Sequence, residues 1–269
     1  FSRPGTHPNR FFVAAVIPVR PWVLSLHTLT SRSLSRAAVV NRKLRGDGKL
    51  RPDSILVEPT SGNTGIGIAL VGRLKGLRVR IVMPEGMSEE RKKIIRALGA
   101  ELILTPREES IGGAIERVRQ MAAEDPRVYV PQQFENPDNP RCHYETTAME
   151  LWHQMSGDIA AFVAGVGSGG TLQGVGKFLK EHKRGVRIVA VEPKDASALL
   201  GHEPGLHQIQ GIGDGFIPAV LDVSHVVSRA QLGHSGPASV RVQWTALRDA
   251  EWEVALRPHG ARTVTGALR

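Results

Sequence analysis

A short polar loop between two apolar segments is the feature that most constrains how this chain can fold. The loop reads EPTSGNTGIG over residues 58–67, with an apolar run at 55–57 before it and a small, apolar run at 66–74 after it. This order predicts a buried strand, a tight turn and a helix. The first turn of a helix has free N–H groups and a partial positive charge, and glycine allows a ligand close to the backbone. The loop is therefore a candidate site for a carboxylate or a phosphate, with a simple capped helix as the alternative.

A second glycine-rich loop has the same setting. Residues 165–171 read GVGSGGT, between an apolar run at 159–163 and a helix-like run at 172–180. Glycines with hydroxyl side chains at a helix start predict a phosphate site. No Lys-Ser/Thr pair closes the loop, so it is not a Walker loop. The spacing of its glycines also fits a dinucleotide fingerprint, but Glu192 is the only acidic residue near the required distance, which is weak support.

Four motifs occur together and in a fixed order. They are TSGNTG at 60–65, QQFENPDNP at 132–140, GVGSGGT at 165–171 and QGIGDGFIP at 210–218. In combination they resemble cysteine synthase, also called O-acetylserine sulfhydrylase, over about residues 49–227. The resemblance implies an α/β fold of the fold type II group of pyridoxal-phosphate enzymes, which is tryptophan synthase β-like. Helices cover parallel sheets in that group.

The resemblance also implies the site residues and the cofactor, pyridoxal 5'-phosphate. Asn63 would contact the 3′ oxygen of the cofactor, while Gly211 and Gly213 would line the mouth of the site. The cofactor phosphate would lie on Gly167, Ser168, Gly169, Gly170 and Thr171. The substrate α-carboxylate would be held by Thr60, Ser61, Thr64 and Gln133, because hydroxyls and N–H groups bind a carboxylate without titrating.

The activity implied is β-replacement, in which sulfide displaces acetate from O-acetyl-L-serine and L-cysteine forms. In the family, a lysine about thirty residues before the loop asparagine forms a Schiff base with the cofactor and moves the α-proton. Counting back from Asn63 leads to Ser33, and Lys43 and Lys49 lie too close to Asn63. No Schiff-base lysine is found, so no catalytic residue is assigned. A family serine motif expected beyond residue 229 is not found either.

Three functions stay open at this point. The first is a cysteine synthase, with the activity of this chain in doubt for want of the lysine motif. The second is a related β-replacing enzyme such as cystathionine β-synthase. The third is a non-catalytic protein that binds pyridoxal phosphate or a peptide carboxylate. The family implies O-acetylserine and sulfide as substrates, a homodimer, and the C-terminal peptide of serine acetyltransferase as a candidate partner.

Charge, cysteine content and hydropathy argue against a nucleic-acid-binding, a disulfide-bonded and a membrane-spanning protein. The net charge is +9, but residues 1–46 hold seven Arg and one Lys with no acid, so the excess lies in the chain ends and does not indicate nucleic acid. A single cysteine, Cys142, permits no internal disulfide, which predicts a reducing, cytoplasmic compartment. No apolar run is long enough to span a membrane. Dispersed histidines, such as His202, His207 and His225, do not predict a metal site.

The pattern divides the chain into four segments. Residues 48–140 are predicted to form a smaller α/β domain with the asparagine loop, and 141–228 part of a larger α/β domain with the phosphate loop. Residues 1–47 and 229–269 depart from the family pattern. We expect residues 1–40 and 235–269 to make few contacts with the core, since they lack periodicity. The missing motifs favour a shifted reading frame or another non-homologous origin for these ends. For the Arg/Ser-rich start, a transit peptide is the alternative.

Overall fold

Two β-sheets organise the chain in a computed structural model. The structure describes residues 12–15, 50–60, 62–203, 205, 207, 209, 211–226, 228–234, 240–245, 253–256 and 262–265. A four-stranded sheet has the order β4-β3-β2-β5, and a seven-stranded sheet has the order β1-β6-β7-β8-β9-β10-β11. The strands are β1 Phe12–Ala15, β2 Ile55–Pro59, β3 Arg78–Pro84, β4 Glu101–Thr105, β5 Val128–Tyr129, β6 Ala161–Gly165, β7 Arg187–Pro193, β8 Ser228–His234, β9 Val240–Thr245, β10 Glu253–Leu256 and β11 Arg262–Thr265.

The helices alternate with the parallel strands. They are α1 Asn63–Leu74, α2 Glu89–Ala97, α3 Ser110–Glu124, α4 Asp138–Cys142, α5 Ala148–Gln154 and α6 Gly170–His182. A single π-helical turn, His143–Thr147, joins α4 to α5. Short 3₁₀ turns lie at Arg107–Glu109, Lys194–Ala196, Ala198–Leu200 and Val223–His225. Among the described residues, no helix combines the length and the apolar character that crossing a membrane requires.

The four-stranded sheet is parallel throughout and is buried on both faces. Successive side chains of a strand point to opposite faces. Leu56 of β2 therefore packs with residues of α1 and α2 on one face. Ile55 and Val57 pack on the other face with residues of α3. This two-sided burial explains why the strand reads as a continuous apolar run.

The seven-stranded sheet combines parallel and antiparallel pairs. β1, β6, β7 and β8 are parallel neighbours, and β9, β10 and β11 extend the sheet in antiparallel fashion. Helix α6 packs over β6 and β7 through the apolar residues Leu172, Val175 and Leu179. The predicted α/β fold with parallel sheets is confirmed.

The two chain ends contain strands that sequence reasoning did not expect. β1 pairs with β6, and β9 pairs with β8. The prediction that residues 1–40 and 235–269 make few contacts with the core is therefore wrong for β1, which pairs with β6. It stays a prediction for residues 235–269, where β9 pairs with β8 and where β10 and β11 pair only with β9 and with each other. Backbone hydrogen bonds to an existing sheet can order a short segment without a recognisable apolar period, because the sheet edge supplies the partners.

Both glycine loops follow the carboxyl end of a parallel strand. β2 leads through residues 60–62 into α1, and β6 leads through residues 166–169 into α6. Ligands of open α/β sheets bind outside the carboxyl ends of the strands. The fold thus places the two predicted binding loops where such proteins bind ligands.

Close packing of α1 on the sheet gives a first prediction. A Cβ at Gly72 would overlap the side chain of Val79, whereas a Cβ at Gly112 would meet nothing within 4 Å. We expect Gly72→Ala to lower the free energy of unfolding by about 1–3 kcal/mol through overpacking. The control Gly112→Ala should raise it by up to about 1 kcal/mol, because alanine favours helix. Urea denaturation measures both, and equal effects of the two substitutions would contradict this packing.

Candidate active site

The first loop is organised around the buried hydroxyl of Thr60. The Gly62 N–H donates to Thr60 Oγ1 at 3.1 Å, and the Thr60 N–H donates to the carbonyl oxygen of Val82 at 3.0 Å. Asn63 is the first residue of α1, and among the described residues its side-chain amide makes no hydrogen bond. Ser61, the other predicted residue of this loop, lies outside the described residues. The loop thus presents Asn63 at a helix N-terminus with its amide free for a ligand.

Gln133 joins this loop from the segment between the two sheets. The Thr64 hydroxyl donates to Gln133 Oε1 at 2.8 Å, and Gln133 Nε2 donates to the carbonyl oxygen of Pro59 at 2.9 Å. Thr64 and Gln133 are 69 positions apart in the sequence. The structure therefore brings together the two residues that sequence reasoning grouped as carboxylate ligands.

Glu58 lies beneath the loop and was missed at the sequence level. Its carboxylate is buried, and its two oxygens accept the backbone N–H groups of Gln132 and Gln133, each at 3.0 Å. Gln132 has φ +61°, a left-handed conformation that is uncommon for a residue with a side chain. Burial raises the pKa of Glu58 to about 8, although the two N–H donors act in the opposite direction. Glu58 therefore fixes the turn that aims Gln133 at Thr64.

The second loop has the geometry of an anion cradle. Gly169 adopts φ +77°, which glycine tolerates at no steric cost, and α6 begins at the next residue. A Cβ at Gly167 would lie 2.5 Å from the carbonyl oxygen of Gly211. The Thr171 hydroxyl is 3.2 Å from Nε2 of the buried His143, whose Nδ1 is 2.9 Å from Thr147 Oγ1. Positions 167 and 169 therefore favour glycine. A phosphate bound here would meet backbone N–H groups at a helix start.

One side chain connects the two loops. Asn139 Nδ2 donates to the carbonyl oxygen of Gln133 at 2.8 Å and to Ser168 Oγ at 3.0 Å. Gln133 belongs to the carboxylate loop and Ser168 to the phosphate loop. The two loops therefore lie side by side, as the family resemblance required.

A third loop, residues 211–218, closes over the phosphate loop. The Gly213 N–H donates to the carbonyl oxygen of Val166 at 2.8 Å, and His207 Nε2 donates to that of Gly213 at 2.7 Å. Asp214 Oδ2 lies 3.7 Å from the position that a Cβ of Gly167 would take. Burial raises the pKa of Asp214 to about 6. Sequence reasoning named Gly211 and Gly213 but overlooked Asp214, although an acid within a glycine-rich loop was a usable signal.

The described residues contain no group of three or more His, Cys, Asp or Glu side chains that could hold a metal ion. The histidines near the site instead form hydrogen bonds that fix the loops. Lys43 and Lys49, the lysines nearest to Asn63, lie outside the described residues.

Comparison with known proteins identifies the family. The profile described as "Pyridoxal-phosphate dependent enzyme" matches residues 31–245, which is most of the chain. The chain belongs to this family of pyridoxal-phosphate-dependent enzymes. The match begins before residue 49 and ends after residue 227, so it extends beyond the stretch in which the four motifs were found. The glycine cradle and the free Asn63 amide fit the phosphate and ring oxygen of that cofactor.

Similar proteins include cysteine synthases. A cysteine synthase of Staphylococcus aureus is 47% identical over 199 residues, which is 74% of this chain and 64% of the relative. The crystal structure of cysteine synthase from Entamoeba histolytica matches with TM-score 0.67 and 43% identity, over 73% of this chain and 58% of that one. A structure of O-ureido-L-serine synthase matches with TM-score 0.71 and 38% identity, over 77% of this chain and 66% of that one. The chain thus spans less than two thirds of the length of the curated relative.

The raised pKa of Glu58 gives a second prediction. Because the folded protein keeps this proton up to about pH 8 and the unfolded chain loses it near pH 4.5, the free energy of unfolding should fall as pH rises between these values. The slope from this group is at most about 1.4 kcal/mol per pH unit. Glu58→Gln should flatten that part of the profile and also destabilise the fold, since its amide NH₂ would face a backbone N–H.

Urea denaturation at several pH values between 7 and 8 measures this slope, because the raised pKa of Asp214, about 6, adds a slope of the same sign at lower pH. Glu101→Gln is the control, because the Glu101 side chain is 58% exposed and pairs only with Arg80 among the described residues. The control should keep the slope of the unaltered protein. A slope that survives in Glu58→Gln would show that another group carries the pH dependence.

Proposed function

We propose that this core is built for the cysteine synthase reaction, the formation of L-cysteine from O-acetyl-L-serine and sulfide with pyridoxal 5'-phosphate. The observation that carries the proposal is the adjacency of two anion-binding loops linked through Asn139. A β-replacement site must hold two anions at once, the substrate carboxylate and the cofactor phosphate. Both loops bind anions with neutral donors at helix starts, which suits ligands that must not be protonated.

The substrate carboxylate would lie at Thr60, Ser61, Thr64 and Gln133. Without a ligand, the Thr64 hydroxyl proton is engaged by Gln133 Oε1. A carboxylate at this place would compete with that oxygen for the proton, and the charge-assisted bond would be the stronger of the two. Substrate binding would therefore exchange the Thr64–Gln133 hydrogen bond for one from Thr64 to the substrate.

The cofactor would bind through residues of both loops. Gly167, Ser168, Gly169, Gly170 and Thr171 would hold its phosphate, and Asn63 its ring oxygen. Ser168 Oγ accepts a hydrogen bond from Asn139, so the proton of its hydroxyl is left for a phosphate oxygen. When bound, the cofactor supplies an electron sink for the reacting carbon, and the protein supplies orientation.

The phosphate cradle gives a third prediction. Gly167→Ala should lower the affinity for pyridoxal 5'-phosphate at least about tenfold, because the added methyl would collide with the Gly211 carbonyl and push the third loop away. Gly185→Ala is the matched control, since a Cβ there meets nothing within 4 Å. Equilibrium dialysis with the cofactor measures both. Equal affinities in the two variants would place the phosphate elsewhere.

The family motif that carries the Schiff-base lysine is not found in this sequence. Lys43 and Lys49 are the only lysines before Asn63, and neither matches that motif. We propose that the unaltered chain holds the cofactor through non-covalent contacts alone and forms no cysteine. Covalent attachment needs an amine within bonding distance of the aldehyde and with a lowered pKa.

Borohydride reduction followed by mass spectrometry tests this fourth prediction. We expect the cofactor to dissociate on denaturation after reduction and no L-cysteine to form from O-acetyl-L-serine and sulfide. A peptide carrying reduced cofactor would identify a lysine that serves as the anchor. Sustained turnover by the unaltered chain would overturn the prediction.

A second candidate function is the binding of a carboxylate without catalysis. Hydrogen bonds hold Thr60, Thr64 and Gln133 in place, whereas the lysine motif is not found. In this second candidate, carboxylate binding is the retained function. Such a protein would bind a peptide C-terminus, with that of serine acetyltransferase as the candidate and a homodimer as the expected assembly. A fluorescent C-terminal peptide that binds, and that loses binding when amidated, would favour this candidate over catalysis.

A further inference from the structure

The two anion-binding loops belong to different sheets and are joined by one short segment. The carboxylate loop follows β2 of the four-stranded sheet, and the phosphate loop follows β6 of the seven-stranded sheet. Residues 132–140 run between them. Hydrogen bonds connect this segment to both loops, through Glu58 on one side and Asn139 on the other.

On one side the segment is fixed by Glu58. The side chain is completely buried at the end of β2, and each of its oxygens accepts one backbone N–H, from Gln132 and from Gln133. A buried carboxylate is costly unless its oxygens are hydrogen-bonded. Both of the bonds described here go to the segment. The position of Gln133 relative to β2 is thus set by Glu58.

On the other side the segment is fixed by Asn139. Its Nδ2 donates to the Gln133 carbonyl and to Ser168 Oγ, and the carbonyl, which can only accept, determines how the amide is oriented. Asn139 Oδ1 is buried without a hydrogen bond among the described residues. A buried polar atom without a partner lowers the free energy of unfolding by about 1–3 kcal/mol. The stabilising contribution of the Asn139 amide therefore comes from the two hydrogen bonds of Nδ2.

Gly170 provides the space for this bridge. A Cβ at Gly170, the first residue of α6, would overlap the Asn139 amide. The helix that begins the phosphate site therefore packs directly against the bridging side chain. A displacement of Asn139 would move both Ser168 and the start of α6.

We propose that Glu58 and Asn139 are positioning residues that couple the carboxylate site to the phosphate site, so that a ligand in either site raises the affinity of the other. The proposal rests on the proposed function, since it uses the same two ligand classes. A ligand that orders one loop also orders the segment. The second ligand then loses less binding free energy to the conformational entropy of ordering its own loop. Coupling of this kind must be reciprocal between the two ligands.

The test measures this coupling and needs no turnover. Pyridoxal 5'-phosphate is the probe for the phosphate site, and 3-acetoxypropionate is the probe for the carboxylate site. The second probe is O-acetylserine without its amino group, so it cannot react with the cofactor aldehyde. The dissociation constant of each is measured by calorimetry with and without a saturating amount of the other. We expect at least about a fivefold increase in affinity in both directions for the unaltered chain.

Two variants should lose the coupling. Asn139→Asp keeps the size of the side chain but cannot donate to the Gln133 carbonyl, and its coupling ratio should approach one. Asn139→Ser should do the same without adding a charge. The matched control is Asn136→Ser in the same segment, since the Asn136 side chain bonds only to the backbone of Pro131 and Asp138 among the described residues. The control should keep the ratio of the unaltered chain.

Glu58→Gln should reduce the ratio as well, because one N–H of the segment loses its acceptor. Thermal denaturation establishes that each variant is folded before it is titrated. A merely structural role would lower both affinities and leave their ratio unchanged, which would overturn the proposal. Binding of both probes to the unaltered chain without coupling would also overturn it and leave the proposed function intact. Failure of the cofactor to bind the unaltered chain would contradict both.

Discussion

The buried carboxylate of Glu58 is the interaction on which the site depends. A charged or protonated carboxyl inside the protein is tolerated only because two backbone N–H groups satisfy its oxygens. Those N–H groups belong to residues 74 and 75 positions away, so one side chain fixes a long-range turn. The turn holds Gln132 in a left-handed conformation that it would not keep on its own.

A chain of hydrogen bonds and packing contacts connects that turn to the rest of the site. Gln133 is aimed at Thr64 on one side, and its carbonyl receives Asn139 on the other. Asn139 reaches Ser168 and packs against Gly170 at the start of α6. The third loop then covers Gly167 through the Gly211 carbonyl. Each step uses a backbone group or a short polar side chain, so the arrangement is precise and carries few net charges near the expected anions.

The same construction separates the proposed anion binding from the covalent attachment of the cofactor. The proposed anion binding would use backbone N–H groups, glycines and short side chains in residues 58–67, 132–140 and 165–171. Covalent attachment of the cofactor depends on a single amine that the family supplies from another segment. The two requirements are physically separate, so the proposed binding sites do not depend on the residue that would anchor the cofactor.

The sequence by itself determined the fold class and the chemistry of the two loops. Apolar runs interrupted by glycine and hydroxyl residues predict strand, loop and helix, because glycine conformation and helix capping are local properties. The roles of Glu58, Asn139 and Asp214, and the pairing of the end strands, were decided only by the tertiary structure. A glutamate in an apolar strand and an asparagine between prolines have no local pattern that distinguishes their functions. Their partners are far away in the sequence, and a hydrogen bond between distant residues exists only once the sheets have brought them together.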